Sequence, residues 1–340
     1  MKVMINLGVI GFGRIGKVHA ESLTKYVPNV SLKAVADPFM NEEGINCAKS
    51  MGVENAYKDY KEVLNDPEID AVLVCSSTDT HSKISIEALK AGKHVFCEKP
   101  IDHDIERIKE VLKEVEKSNL KFQVGFNRRF DHNFKTIKNT IKAGKIGEPH
   151  IIKITSRDPE APPIEYVKVS GGIFLDMSIH DFDMVRYLSG SEVEEVYAIG
   201  DALINPDIKK EGDVDTAIIT LKLANGALGV IDNSREAAYG YDQRAEVFGS
   251  KGSVQISNDA NSTAVVSTKD GVTGEKPLYF FLERYMQSFA DEIKEFVKAI
   301  EEDKEVPVTA IDGLNAVLIG IAATKSLKEG RAVKISEIGL

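Results

Sequence analysis

Asp176 and His180 stand four residues apart in the stretch SGGIFLDMSIHDFDM (170–184), with Asp183 one turn further on. On a single helix this spacing places a carboxylate and an imidazole on one face. Such a pair suits proton transfer to or from a bound hydroxyl near neutral pH, because an unperturbed imidazole titrates at about 6.5. It equally suits a structural ion pair, and the pair alone does not choose between the two. Asp176, His180 and Asp183 could also ligate a divalent cation. No further cluster completes a coordination shell, so no metal is expected.

A task for such a base is suggested near the start of the chain. Gly11-Phe12-Gly13-Arg14-Ile15-Gly16 is a G-x-G-x-x-G run between the apolar segment Ile5–Ile10 and the helical pattern Ile15–Lys25. In that context the first glycine allows a tight turn, the second lets a pyrophosphate approach the backbone, and the third lets helix and strand pack closely. The amides at the helix start then face the phosphates. Asp37 ends the second strand pattern 21 positions after Gly16, close to the roughly 20 expected of a ribose-binding carboxylate. Its charge would repel a 2′-phosphate, and the next residue, Pro38, offers no cation to hold one. NAD is therefore expected over NADP. The plain alternative is a solvated Asp at a strand end.

Two later strand ends supply further candidates, since ligands of open α/β sheets bind beyond the carboxyl ends of strands. The fourth ends in Ser76-Ser77-Thr78-Asp79-Thr80-His81, so Ser76, Thr78 and His81 are expected to line the cofactor crevice. Asp79 or Thr80 could equally serve as an N-cap. The fifth leads to Cys97-Glu98-Lys99-Pro100, so Glu98 and Lys99 are also expected to contact the cofactor. A lysine there would sit near the cofactor and could stabilise a developing alkoxide, with Pro100 restricting its backbone. For a lone lysine, plain surface exposure is the ordinary alternative.

The elements that must carry these residues fall into two patterns. Up to Val124, buried strands (Ile5–Ile10, Leu32–Ala36, Ala71–Cys75, His94–Phe96, Phe122–Val124) alternate with amphipathic helices, which implies a parallel sheet covered on both faces. From Val193, strands follow one another directly, and Gly249-Ser250-Lys251-Gly252 reads as a hairpin turn. Two long helices, about 283–301 and 311–328, close the chain. The expected fold is α/β: a doubly wound Rossmann domain (1–125), then an α+β domain (126–340) with a large, mostly antiparallel, open-faced sheet. An uncovered sheet face must be buried against something, and a second copy is the simplest partner, so a homo-oligomer is expected.

Bulk properties narrow the field. The 340 residues exceed a typical single domain, 43% are hydrophobic, and the formal net charge is −10. That charge argues against a nucleic-acid partner, and no apolar run of eighteen residues suggests a membrane span. The opening MKVMINLGVIGFG reads as a first strand rather than a signal peptide. Cys47, Cys75 and Cys97 are odd in number and form no C-x-x-C, which fits free thiols in a reducing cytoplasm.

GFGRIG, HVFCEKP (94–100) and DMSIHDFDM (176–184) together resemble the glucose–fructose oxidoreductase/inositol dehydrogenase (Gfo/Idh/MocA) family. The segments QVGFNRRFD (123–131), SRDPEAPPIEYVKVSGGIFLDMSIHDFDMVRYLSG (156–190) and YGYDQRAEVFGSKG (239–252) are most similar to its inositol 2-dehydrogenase branch. The resemblance runs over essentially the whole chain. It implies Lys99, Asp176 and His180 as the catalytic set, with His180 as general base. It adds Asn127, Arg128, Asp158 and Tyr241 as substrate contacts, and a tetrameric assembly. The implied reaction is NAD-dependent oxidation of a ring hydroxyl, with myo-inositol the leading substrate. Another inositol isomer or an aldose would use the same chemistry, and Arg128 and Arg129 could instead grip a carboxylate. Asn127 stands where some inositol enzymes carry Met, which leaves the stereochemical preference open. A non-catalytic NAD-sensing protein is the reading from another class, and Lys99, Asp176 and His180 together argue against it.

Overall fold

The computed structural model describes residues 4–339. Its elements run β1 (Ile5–Ile10), α1 (Arg14–Lys25), β2 (Val30–Ala36), α2 (Glu42–Ser50), β3 (Asn55–Tyr57), α3 (Lys61–Asn65), β4 (Ala71–Val74), α4 (Thr78–Lys90), β5 (His94–Glu98), α5 (Ile105–Ser118) and β6 (Phe122–Gly125). Then come a 3-10 turn (Asn127–Phe130), α6 (His132–Lys142), β7 (Pro149–Arg157), α7 (Ile164–Ser170), α8 (Gly172–Asp176), α9 (Ser178–Ser189), β8 (Val193–Asp201) and α10 (Pro206–Lys210). The remainder is β9 (Thr216–Leu223), β10 (Leu228–Ser234), β11 (Asp242–Gly249), β12 (Gly252–Ile256), β13 (Val265–Thr268), β14 (Gly271–Gly274), α11 (Phe281–Arg284), α12 (Met286–Glu301), α13 (Ala310–Glu329), β15 (Val333–Lys334) and a closing 3-10 turn.

The chain divides into two units. One takes the chain through Phe130 together with Gln287–Asn315; the other is Asp131–Met286 with the residues from Ala316 onward. The break at Phe130 lies close to the expected one after residue 125, and Gln287–Asn315 joins the first unit. α12 returns to the first unit because its apolar face, Ile293, Phe296 and Val297, joins the core formed by Leu7, Val9, Leu73 and Phe96.

In the first unit six parallel strands lie in the order β3-β2-β1-β4-β5-β6. This is the doubly wound order, with its crevice where β1 and β4 diverge. β4 is buried at every position, as expected of a central parallel strand covered on both faces. α5 shows how local sequence sets a helix here. Asp104 caps it by accepting from the Glu106 N–H, Ile108 and Val111 are its buried positions, and Asn119 ends it at φ 55°.

The second unit holds a seven-stranded sheet in the order β12-β11-β7-β10-β9-β8-β15. Every neighbouring pair is antiparallel except β7 with β10. The strict alternation in β9 sends Ala217, Ile219, Leu221 and Leu223 into a core shared with Phe182, Val185 and Leu188 of α9. Residues of the opposite face stay exposed: Phe248, Ile151 and Leu228 are cross-strand neighbours, and so are Ile199 and Ile218. α13 is long and apolar enough to cross a membrane by length and composition, and 61% of that window is buried inside the fold. The sequence reading missed β3, β14, β15, α7 and α10, all short, and joined α11 to α12 across Tyr285.

Candidate active site

In the first unit the glycine loop behaves as its spacing implies. Gly11 has φ +91°, and a Cβ there would lie 2.4 Å from the Ser76 amide nitrogen. A Cβ on Gly16 would lie 1.9 Å from the Gly11 carbonyl oxygen. Gly13 is the opposite case: its missing Cβ points into open space, and as N-cap of α1 it supplies no side chain to the first amides. That leaves an uncovered helix N-terminus, where a diphosphate fits. Arg14 is exposed and Ile15 half-buried beside it, while Phe12 is buried.

Asp37 braces this loop. One carboxylate oxygen accepts from the Phe12 N–H at 2.8 Å and the other from the Phe39 N–H at 2.8 Å. Each oxygen keeps lone-pair capacity for a ribose hydroxyl. These groups fit NAD: Gly11 to Gly16 would hold the diphosphate, and Asp37 the ribose.

Beyond β4, the N-cap of α4 is Ser77, not Asp79 or Thr80, and Thr78 opens the helix. The Thr80 hydroxyl pairs with the Ser77 carbonyl and the Ser76 hydroxyl. Thr78 remains half-exposed at the strand end. His81 is 2% exposed, and its ring nitrogens face the Pro100 and Ser76 carbonyl oxygens at 2.8 and 2.9 Å. It fastens two crevice segments together rather than lining the crevice.

Glu98 also turns inward, its Oε1 2.6 Å from His19 Nε2 of α1, with its Oε2 accepting from the Lys99 N–H at 3.3 Å. Glu292 of α12 completes a buried group whose donor atoms lie within 4.8 Å of one another. Neither Glu292 carboxylate oxygen has a hydrogen-bond partner. Burial, with the Glu98 charge added, pushes this carboxyl well above its usual range. Among the described residues these three side chains are the ones close enough to share an ion. The His19–Glu98 contact is a short hydrogen bond in the interior. Burial likewise lifts the Cys75 thiol well up and the Cys97 thiol to about 12, so both are inert packing groups. Lys99, after β5, is half-buried.

Asn127 and Arg128 sit buried in the 3-10 turn after β6, with the Asn127 amide donating to the Ser288 hydroxyl at 3.3 Å. Arg129 pairs with Asp312 at 2.9 Å, which occupies its guanidinium within the unit.

In the second unit the expected single helix is two. α8 ends at Asp176 and α9 begins at Ser178, with Met177 between them at φ −96°, ψ −59°. The His180 N–H reaches back to the Met177 carbonyl at 3.3 Å, a tightened turn at the joint. Of the four titratable side chains from 176 to 183, Asp176 and His180 are partly buried, whereas Asp181 is 0% and Asp183 1% exposed. Asp181 accepts from Asn233 at 2.9 Å, and Asp183 lies 3.9 Å from Arg186. Asp183 therefore belongs to the interior and does not stand open with the other two. Tyr241 is also largely buried, its ring edge-on to Phe280 and Tyr285.

Both Asp176 oxygens are held: Oδ1 accepts from the Tyr166 hydroxyl and Oδ2 from Arg235 Nη1, each at 2.8 Å. Arg235 also lies 3.8 Å from Asp158. Sequence reasoning named neither Tyr166 nor Arg235. The signal for both was tertiary: Arg235 lies 59 residues from Asp176 along the chain.

Comparison with known proteins follows this geometry. The family model "Oxidoreductase family, NAD-binding Rossmann fold" matches residues 5–126, and "Oxidoreductase family, C-terminal alpha/beta domain" matches 138–335. The chain is 51% identical to myo-inositol 2-dehydrogenase from Thermotoga maritima, covering 98% of this chain and 99% of that protein. It is 45% identical to inositol 2-dehydrogenase from Rhizobium meliloti, again over 98% and 99%. The crystal structure of scyllo-inositol dehydrogenase from Lactobacillus casei with bound NAD(H) and scyllo-inositol superposes with a TM-score of 0.91 at 33% identity, covering 98% and 99%. The chain belongs to the Gfo/Idh/MocA oxidoreductase family and is an NAD-dependent oxidoreductase.

Proposed function

We propose that this enzyme oxidises one ring hydroxyl of an inositol, with myo-inositol going to the 2-keto inosose. The observation that carries the reading is that Asp176 and His180 are only partly buried in a segment whose other two carboxylates are fully buried. A partly accessible carboxylate and imidazole at a helix joint suit a polyol hydroxyl, and relatives of this sequence act on inositols.

In this mechanism His180 takes the hydroxyl proton as general base. The Lys99 ammonium stabilises negative charge developing on that oxygen. Asp176 accepts from a neighbouring substrate hydroxyl and fixes the ring. Asp158, Asn127, Arg128 and Tyr241 contribute further polar contacts to a ring that carries a hydroxyl on every carbon. NAD+ supplies the hydride acceptor. Gly11 to Gly16 and Asp37 hold it, while Ser76, Thr78, His81 and Glu98 shape the adjoining strand ends.

The uncovered sheet face supports a homo-oligomer, with a tetramer favoured. Its exposed Phe248–Ile151–Leu228 row would be costly to leave in water. Three cysteines without disulfides fit a cytoplasmic setting.

The test is a panel of inositol isomers, glucose and xylose followed at the NADH absorbance with NAD+ and with NADP+. Turnover of an inositol well above both sugars, with NAD+ preferred, is the expected result. Preference for an aldose would overturn the substrate assignment, and preference for scyllo-inositol would move it to that isomer.

A further inference from the structure

We propose that Arg235 is a positioning residue for the reaction, acting through Asp176; this rests on reading Asp176 as a substrate-contacting carboxylate. Asp176 is the last residue of a helix only five residues long. So short a helix has almost no hydrogen-bonded turns of its own and cannot hold a terminal side chain steady unaided. Its geometry is set from outside. At the N-terminal end, Asp213 accepts from the Ile173 N–H at 3.0 Å. At the C-terminal end, Tyr166 and Arg235 each hold one oxygen of Asp176.

Arg235 is itself anchored. It follows β10, its backbone N–H donates to the Asp215 carbonyl at 2.8 Å, and it is 3% exposed. Asp158, at the end of β7, ties its own N–H to the Ser234 carbonyl at 3.0 Å, beside Arg235. Burial works against the guanidinium charge, but Asp176 and Asp158, with Asp213 behind them, outweigh it and hold its pKa above the usual value. One cation therefore organises carboxylates from three separate connections. Two of them, Asp158 and Asp176, are candidate substrate contacts. Removing the cation would free Asp176 to turn, and displacement of a positioning group by about 1 Å costs on the order of 100-fold in rate.

A merely structural arginine would not act through one carboxylate, and this gives the test. Arg235→Gln, Asp176→Asn and the double variant are assayed for kcat/KM on inositol with NAD+, with NAD affinity and melting temperature alongside. Arg235→Gln is expected to lower kcat/KM about 10- to 100-fold while NAD affinity stays within about two-fold. In the Asp176→Asn background the same change is expected to cost less than about three-fold, since the group it positions has lost its charge. Losses that multiply, or a wild-type kcat/KM in Arg235→Gln, overturn the proposal. If Arg235→Gln does not fold, Arg235→Lys, which keeps the charge but loses the fork, and Tyr166→Phe take its place in the cycle. The same non-additivity is then required. Wild-type turnover is the control that separates the two readings. A wild-type enzyme that ignores every inositol sinks the substrate assignment, and the cycle is then run on the alcohol the panel identifies. An active wild type with multiplying losses sinks the Arg235 proposal alone.

Discussion

The first unit buries His19, Glu98 and Glu292 with donor atoms within 4.8 Å of one another, whereas the second buries Arg235 against Asp176 and Asp158. An isolated ionised group in a protein interior costs several kcal/mol, so neither cluster can leave a lone charge there. The first avoids the cost by holding a proton, because burial and the Glu98 charge keep the Glu292 carboxyl neutral well above the usual range. The second avoids it with a permanent cation that no ordinary pH removes. The difference separates two jobs. A cluster that can change protonation makes stability depend on pH, while a cluster fixed by a guanidinium keeps a carboxylate aimed.

The sharpest break of this comparison lies outside both clusters, at the groups proposed to move protons. His180→Ala and Lys99→Ala are each expected to lower turnover about 100- to 10,000-fold, with NAD binding by fluorescence titration unchanged. Near-normal turnover in His180→Ala would remove the assigned base and with it the reason for keeping Asp176 aimed. Next in size is the stability cost of leaving Asp176 and Asp158 without their buried cation. Arg235→Met is expected to destabilise the fold by about 3–5 kcal/mol in urea titration. A loss below about 1 kcal/mol would mean that the second cluster is not electrostatically closed. Asp37→Ala comes third: losing the brace on the Phe12 amide and one hydrogen-bonded carboxylate is expected to weaken NAD about tenfold, near 1.4 kcal/mol. NADP+ should lose less, because the carboxylate that repels its phosphate is gone. Dissociation constants for both cofactors check this.

The two units also differ in how far they could be read without coordinates. The first is written in backbone terms that are local in sequence. Gly11, Gly13 and Gly16 differ in what surrounds them, yet each role follows from position in one turn, and strand–helix alternation predicted the parallel sheet with five of its six strands, all but the short β3. In the second unit, alternation predicted the antiparallel sheet and its exposed face, but not that β7 pairs in parallel with β10 across 77 residues. Asp176 and His180 were legible as a pair, and the break at Met177 was not, because MSIH carries no Pro or Gly to mark it. Arg235 and Tyr166 were illegible for a simpler reason. An arginine between a serine and a glutamate in a loop and a tyrosine on a short helix look like surface residues until the fold brings Asp176 between them. Glu98 and His81, read from their strand-end positions as cofactor contacts, also have polar atoms engaged by His19 and by two backbone carbonyls, which position alone did not show.

The smallest expected effect is the one that tests the proton held in the first unit. Below the ordinary carboxyl range, near 4.3, folded and unfolded chains both carry the Glu292 proton and the group does not affect stability. Above it the unfolded chain releases the proton while the buried carboxyl keeps it, so folding is linked to proton uptake and stability falls as pH rises. The fall continues until the raised folded-state value is reached, with a limiting slope of about 1.4 kcal/mol per pH unit. Glu292→Gln keeps the shape and the neutral charge but has no proton to exchange. Its melting temperature is therefore expected to lie near that of the wild type at pH 5 and to gain on it progressively as pH rises towards 8, at about 2–4 °C per kcal/mol. A gap that stays constant over this range would show that Glu292 is not the proton holder. The two buried clusters would then no longer differ in kind.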